Sequence, residues 1–387
     1  MRGKRSVVKY SIILWEVLVL WGVSGCGESG NMASNSDFKE LSFQQVETPP
    51  EGFKLRECTV LEDEINIGAF CFYGEDLVYE VNYHDSLTDQ TGLKGDVPFE
   101  DKYNTQLRRL NMTTGEDELL YKYDAEGCVD ITDVVFNEHY LVWETMEDTW
   151  KLHLLRLGQD SAVETIVDGT QNAGDLDKVI LTLKEDELFW YNKNGLEDNC
   201  ISLCSYNIPN KELHSYKSGL DLRSPYTKPA IIEEICTTFS RKQEDGNQIY
   251  ITDMDKKEEV VLNVNMSVCN PISNDEYCIW TQGYGGESSN IYVYDFDTQT
   301  GSVISLGEAS CFSYALLGEY IIINQRGTSK YGEEGLYCFR PDTGEYYRFE
   351  GLEDKTVLHT FQGVAGNVYF QVGDDTLDFK VVNVSLK

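Results

Sequence analysis

One unit of sequence recurs along this chain and limits its fold to a stack of copies. In residues 274–307 it reads NDEYCIWTQGYGGESSNIYVYDFDTQTGSVISLG. The unit holds an apolar-aromatic run (277–280), a polar loop with Gly283, Gly285 and Gly286, an alternating run (291–296), and a short apolar run after Thr300-Gly301. Such runs between clusters of Gly, Asn and Asp predict strands, with a turn at Thr300-Gly301. One copy cannot bury its own faces, so copies must stack.

The repeats can be counted from two columns. The first falls late in an apolar run: Tyr79, Trp143, Trp190, Trp280, Ile323 and Phe370. The second marks the next run, near Leu107, Leu152, Ile201, Ile249, Ile291, Leu336 and Phe379, at separations of 45, 49, 48, 42, 45 and 43 residues. A period of about 40–50 residues with four short strands per unit is the signature of a β-propeller. Long apolar stripes of helical period are nearly absent, so the fold class is all-β. The aromatic column is periodic, and periodic aromatics are core before they are ligand contacts.

Seven second-column runs imply seven blades over residues 52–387, with six or eight still open. The fourth copy is weak, carrying Ile231, Ile232, Ile235 and Phe239 without the tryptophan. After Phe379 the chain has too few residues for a fourth strand in the last blade. Residues 53–60 (FKLRECTV) are expected to supply it by pairing with the run at 379–384, which closes the ring and removes an exposed sheet edge. The pieces NQIYITDMD, NIYVYDFDTQTG and GLYCFRPDTGE resemble bacterial extracytoplasmic propellers, broadly those with TolB-like and YWTD-type repeats. The SPDG turn and the YWTD tetrapeptide themselves are missing, so the resemblance implies a fold and a surface-tethered binding or scaffold module, not an activity.

The N-terminus supplies an address. Arg2, Lys4, Arg5 and Lys9 precede an apolar run from residue 10 to 25 that ends Val23-Ser24-Gly25-Cys26. A basic region, a short apolar region and small residues describe a secretory signal in residues 1–25, and the run falls short of the roughly 20 residues of a membrane span. The stretch resembles a bacterial lipoprotein signal with its lipobox, which implies lipidation of Cys26 and an extracytoplasmic domain held at the cell membrane by its lipid alone. Residues 27–50 are polar and end in Pro49-Pro50, as expected of a flexible tether over 26–51.

Cleavage there would remove four basic residues and one acidic one, leaving 28 Lys and Arg against 65 Asp and Glu, a net charge of −37. That balance argues against nucleic-acid binding, which needs positive charge. Ten cysteines remain beside Cys26, so disulfides are allowed in an exported chain. Cys200 and Cys204, about 13 Å apart along one strand, cannot bridge each other. Cys71, Cys236, Cys278 and Cys338 sit in strand-like runs and read as small core hydrophobes.

No nucleophile elbow, zincin helix, phosphate-binding loop or EF-hand loop is present, and no cofactor or metal site is read. The acidic pairs Asp253/Asp255 and Asp295/Asp297 suit turns better than calcium. Insertions are more informative, because long loops in compact domains carry function. Residues 80–106 of the first blade hold Tyr83, His84, Phe99 and Tyr103, and residues 324–335 of the sixth hold Arg326, Lys330 and Tyr331. These loops, with 282–289, should share one end of the ring. Tyr83, His84, Tyr103, Arg326 and Tyr331 are the candidate ligand contacts of a non-catalytic binding or assembly module, its partner a protein or glycan of the cell envelope. The alternative is a propeller enzyme acting on a glycan, which needs paired carboxylates at the channel mouth.

Overall fold

The computed structural model describes residues 38–61, 67–82, 105–123, 129–146, 149–158, 162–169, 179–193, 201–222, 228–242, 246–283, 288–352, 356–362, 367–373 and 379–385. All belong to one compact unit, Asn31–Lys387. Every regular element among the described residues is a strand.

Three strands precede the repeats: β1 (Lys39–Glu40), β2 (Gln44–Gln45) and β3 (Lys54–Leu61). The first sheet is β4 (Ile67–Tyr73), β5 (Asp76–Asn82), β6 (Thr105–Asn111) and β7 (Asp117–Lys122). The second is β8 (Asp130–Phe136), β9 (Tyr140–Met146), β10 (Trp150–Arg156) and β11 (Glu164–Asp168). The third is β12 (Leu181–Lys184), β13 (Glu187–Lys193), β14 (Ile201–Asn207) and β15 (Glu212–Leu220). The fourth is β16 (Ala230–Ile232), β17 (Ile235–Lys242), β18 (Gly246–Asp253) and β19 (Glu258–Val264). The fifth is β20 (Cys269–Ser273), β21 (Tyr277–Thr281), β22 (Asn290–Asp295) and β23 (Thr300–Ser305). The sixth is β24 (Ser310–Leu317), β25 (Tyr320–Arg326), β26 (Gly335–Arg340) and β27 (Glu345–Arg348). The seventh holds β28 (Thr356–Gln362), β29 (Asn367–Gly373) and β30 (Phe379–Ser385), with β3 antiparallel along β30 from Lys54 opposite Ser385 to Leu61 opposite Phe379.

The sheets pack face to face, and the aromatic column fills the space between them. Tyr79, Trp143, Trp190, Trp280, Ile323 and Phe370 are all buried. Trp143 Nε1 donates to the Tyr123 hydroxyl at 2.6 Å, whereas Nε1 of Trp190 and of Trp280 has no acceptor among the described residues. Side chains of one sheet fasten the backbone of the next: Asn137 Nδ2 donates to Glu185 O at 2.6 Å, Thr182 Oγ1 to Pro229 O at 2.7 Å and Asn274 Nδ2 to Gly318 O at 2.8 Å. Gln362 makes two such bonds, accepting from Leu316 N and donating to Leu316 O. The seventh sheet meets the first through Tyr369, which stacks on Phe72 at 4.5 Å and donates to Gly74 O at 2.6 Å.

The turns show why the acidic pairs recur. Asp253 Oδ1 accepts from Lys256 N at 2.9 Å and Asp295 Oδ1 from Thr298 N at 2.8 Å, as Asn111 and Asn207 do in their sheets. Each bond closes the turn into a fourth strand, the local use expected of Asx side chains. The left-handed residue of these turns is Gly115 or Gly344 in two sheets, but Lys211, Lys257 and Gln299 in three others. The expected turn at Thr300-Gly301 is therefore displaced: Gln299 turns, and Thr300 and Gly301 already belong to β23.

Gly301 has a different reason to be glycine. The Phe38 ring lies on it, and an added Cβ would fall 2.6 Å from Phe38 Cε1. Residues 38–46 thus depart from the flexible tether expected over 26–51. Phe38 is buried edge-on against Trp280 and Tyr292, β1 adds in parallel to β23, and β2 adds in parallel to β27. Leu41 and Phe43 pack between the fifth and sixth sheets, and Val46 and Phe53 between the sixth and seventh.

The described cysteines behave as apolar side chains. Cys204, Cys236, Cys269, Cys278, Cys311 and Cys338 are buried free thiols, and Cys71 is a half-buried one. Burial pushes the Cys204 thiol up to about 11 and those of Cys236 and Cys278 up to about 12. None of these three is ionised near neutral pH, so none of the three is an activated nucleophile.

Candidate functional site

The end of the sheets that carries the connections between second and third strands is the candidate site. Tyr83, His84 and Tyr103 lie in the first-sheet connection, outside the described residues. The sixth-sheet connection is described, and buried Gln325 organises it: Nε2 donates to the carbonyls of Gly327, Gly332 and Glu333, and Oε1 accepts from the Ser329 hydroxyl at 2.6 Å. One amide side chain at the end of β25 thus folds the whole loop.

This loop separates its two candidate residues. Tyr331 is only 6 % exposed. Its ring packs edge-on against Phe43, Phe339 and Tyr346, and its carbonyl accepts from the Tyr346 hydroxyl at 3.1 Å. Burial raises its phenol, with the Lys330 amine working in the opposite sense. Tyr331 is therefore a packing residue beneath the surface, and its sequence neighbours Ser329, Lys330 and Gly332 gave no sign of that. Lys330 is tied to the N-terminal segment, its Nζ 2.5 Å from Glu40 Oε1. Partial burial works against the Lys330 charge, but hydrogen bonds to Glu40 and Tyr331 outweigh it and hold the amine above its ordinary value. Arg326 is half-buried, paired with Glu334 at 2.5 Å and lying over the Phe312 ring at 4.8 Å.

A set of buried polar residues lies just inside this end, and the sequence reading missed it. The position after the aromatic column is Glu80, Glu144, Thr281 and Asn324 in the first, second, fifth and sixth sheets, all buried, and half-buried Gln371 in the seventh. Glu80 and Glu144 are carboxylates in the interior, 3 % and 0 % exposed. Glu80 Oε2 accepts from Ala69 N at 3.0 Å; Glu144 accepts from the Thr132 hydroxyl and, at 2.9 Å, from the N–H of Val179 just before β12. Asp133 works alike, accepting from Leu181 N at 2.6 Å. The first strands bulge at this level, with register shifts at Ile67/Phe70, Ile131/Asp133, Cys269/Ile272, Cys311/Ser313 and Val357/His359. A bulge leaves backbone donors outside the ladder, and an unpaired buried N–H is costly. Glu80 answers such a donor within the β4 bulge, whereas Glu144 and Asp133 hold the N–H groups of Val179 and Leu181 at the entry to the third sheet, so each acid fastens backbone. The signal was available as a polar residue after the column residue in these five sheets, although the third has buried Tyr191 there.

No family model matches the chain, and no curated protein matches it. Solved structures do. The β-propeller domain of the trilobed protease from Pyrococcus furiosus, described there as having an open velcro topology, aligns at TM-score 0.53 and 10% identity over 83% of this chain and 95% of that one. This chain has the β-propeller fold. An acylaminoacyl peptidase from Pyrococcus horikoshii aligns at TM-score 0.49 and 9% identity, over 80% of this chain and 49% of that chain. An uncharacterized protein from Listeria monocytogenes aligns at TM-score 0.46 and 10% identity, over 87% and 95%.

Proposed function

We propose that this chain is a lipid-anchored binding or assembly module on the extracytoplasmic face of the cell membrane, a seven-bladed propeller closed by its own N-terminal strand. The observation that carries the reading is the use of the acids at this end: buried Glu80 and Glu144 and half-buried Asp133 all accept backbone N–H groups, at a bulge or from the segment that enters the next sheet. Groups spent in this way make a rigid frame, and a rigid frame presenting loops is a common recognition surface. Seven sheets and the β3–β30 register support the closed ring. The basic-apolar leader ending in Cys26 supports the anchor.

Arg326 joins Tyr83, His84 and Tyr103 as a candidate ligand contact, with Tyr331 supporting the loop from below. The ligand is a protein or glycan of the cell envelope, and no nucleic acid suits so acidic a chain. The test is a screen of envelope proteins and glycans against the purified mature chain, its hits re-measured with Arg326→Ala and Tyr83→Ala. Weaker binding at unchanged thermal stability is expected, and hits indifferent to both changes would place the site elsewhere. For the anchor, Cys26→Ala should release the protein from the membrane; full retention with an uncleaved leader would refute it.

A further inference from the structure

We propose that the cleft between the first and seventh sheets binds a small oxyanion, a carboxylate or a phosphate group, and that the bound anion fastens the seam where the two ends of the domain meet. The inference rests on the pairing of β3 with β30 and is independent of the anchor and of the loop-face ligand.

The cleft is a cavity of about 90 Å³ with walls from three parts of the chain. By the same measure a single water needs roughly 10–15 Å³, so a group of several heavy atoms fits. From β3 come Lys54 and Arg56, two residues apart and hence on one face of the strand. From the turns of the first sheet come Glu75 and Thr113, and from the seventh sheet Asn367 and Asn383.

The charge of this lining runs against that of the chain. The whole sequence has 66 Asp and Glu against 32 Lys and Arg, yet the cleft has two cations and one carboxylate. Lys54 has no ion-pair partner among the described residues. Arg56 spends only Nη1, which donates to Glu75 Oε1 at 2.7 Å and to the Thr113 hydroxyl. The remaining edge of its guanidinium is the fork that suits a planar or tetrahedral oxyanion. Hydrogen bonding to Arg56, then to Thr113, holds the Glu75 carboxyl below its ordinary range. Glu75 therefore stays ionised and competes with any added anion for Arg56. The arrangement is a weak, single-anion site whose occupant would touch β3, the seventh sheet and the first sheet together.

The experiment uses the full mature chain at constant ionic strength, with chloride exchanged for inorganic phosphate in one arm and acetate in another. Amide exchange of residues 54–61 is followed by mass spectrometry, and affinity by calorimetric titration. Phosphate or acetate should slow exchange in that segment relative to chloride, and the arm that acts identifies the group. Lys54→Ala and Arg56→Ala should each weaken the anion about tenfold, the loss of one charge-assisted hydrogen bond. Glu75→Gln should tighten it by removing the competitor. If Arg56→Ala fails to fold, Lys54→Ala and Glu75→Gln decide alone, because Lys54 is exposed and in no ion pair among the described residues. The proposal falls if neither anion protects the segment beyond chloride, if Lys54→Ala leaves the effect intact, or if Glu75→Gln weakens it.

Discussion

The outer edges of the third and fourth sheets and those of the fifth and sixth are made of the same kind of strand, yet they meet solvent differently. On β15 and β19, Leu213 is 58 % and Val260 47 % exposed. On β27, under the N-terminal segment, Tyr346 and Tyr347 are 8 % and 9 % exposed. The bare edges are protected in other ways. β15 shifts register twice against β14 and carries Lys217, and β19 opens on Glu258 and Glu259 behind Lys256 and Lys257. Bulges and charges are how bare edges avoid pairing with other chains. The covered edges can afford more apolar surface because β1 and β2 have taken the pairing positions. The difference teaches that the N-terminal segment is part of the fold from Phe38 onward, although its composition reads as that of a tether.

The sharpest way to break this comparison is to remove the cover. Deleting residues 38–61 takes away β1, β2 and β3 together and opens three edges, so the chain should aggregate or lose its cooperative melt; a soluble product that melts like the parent would show the segment to be ornamental. Within the segment, Phe38→Ala should cost about 3 kcal/mol in chemical denaturation, the range for a buried phenylalanine. Leu213→Ser on the bare edge should stay within about 0.5 kcal/mol of the parent. Equal costs at the two sites would erase the distinction. Gly301→Val should cost about 1–3 kcal/mol by overpacking, and the cost should shrink in a Phe38→Ala background, because the clash is with that ring. An unchanged cost there would mean that Gly301 answers to something other than Phe38.

Much of the frame was legible because it is periodic. Trp143, Trp190 and Trp280 repeat at blade spacing, and periodic burial leaves a signal that a single copy would not. The strand at 53–60 was legible by deficit, since the last blade lacks an edge. What could not be read was whatever depends on one contact between distant segments. Phe38 and Phe43 stand among polar residues and each precedes a strand only two residues long, too short for alternation to appear. Tyr331 sits in a loop of Gly, Ser, Lys and Glu, and its burial comes from Gln325 drawing that loop inward and from Phe43 meeting it across nearly the whole sequence. The cleft at Lys54 and Arg56 exists only because β3 is brought beside the turns of the first sheet, so residues that read as edge-strand charges become one wall of a cavity.

The smallest effect tests whether the bare and covered edges solve the same packing problem. Tyr250 of the fourth sheet holds the register position that Tyr292 holds in the fifth, one residue after the partner of Phe239 and of Thr281 respectively. Phe38 covers Tyr292 at 5.2 Å, and over Tyr250 lies the Lys217 amine at 3.7 Å, held by Glu259 at 2.5 Å. Lysine covers apolar surface with its stem while its head stays wet, so one side chain from the neighbouring sheet does for Tyr250 what the N-terminal segment does for Tyr292. Lys217→Ala should then cost about 1–2 kcal/mol, the sum of a partly exposed cation–π contact, a surface ion pair and lost stem packing. Lys217→Met keeps the stem and should recover roughly half of that. The ionic part should fade between 0.15 and 1 M salt, over which the screening length falls from about 8 to about 3 Å. If Lys217→Met is as damaging as Lys217→Ala and salt abolishes the difference from the parent, the contact is purely ionic, and the likeness between the two edges ends at their strands.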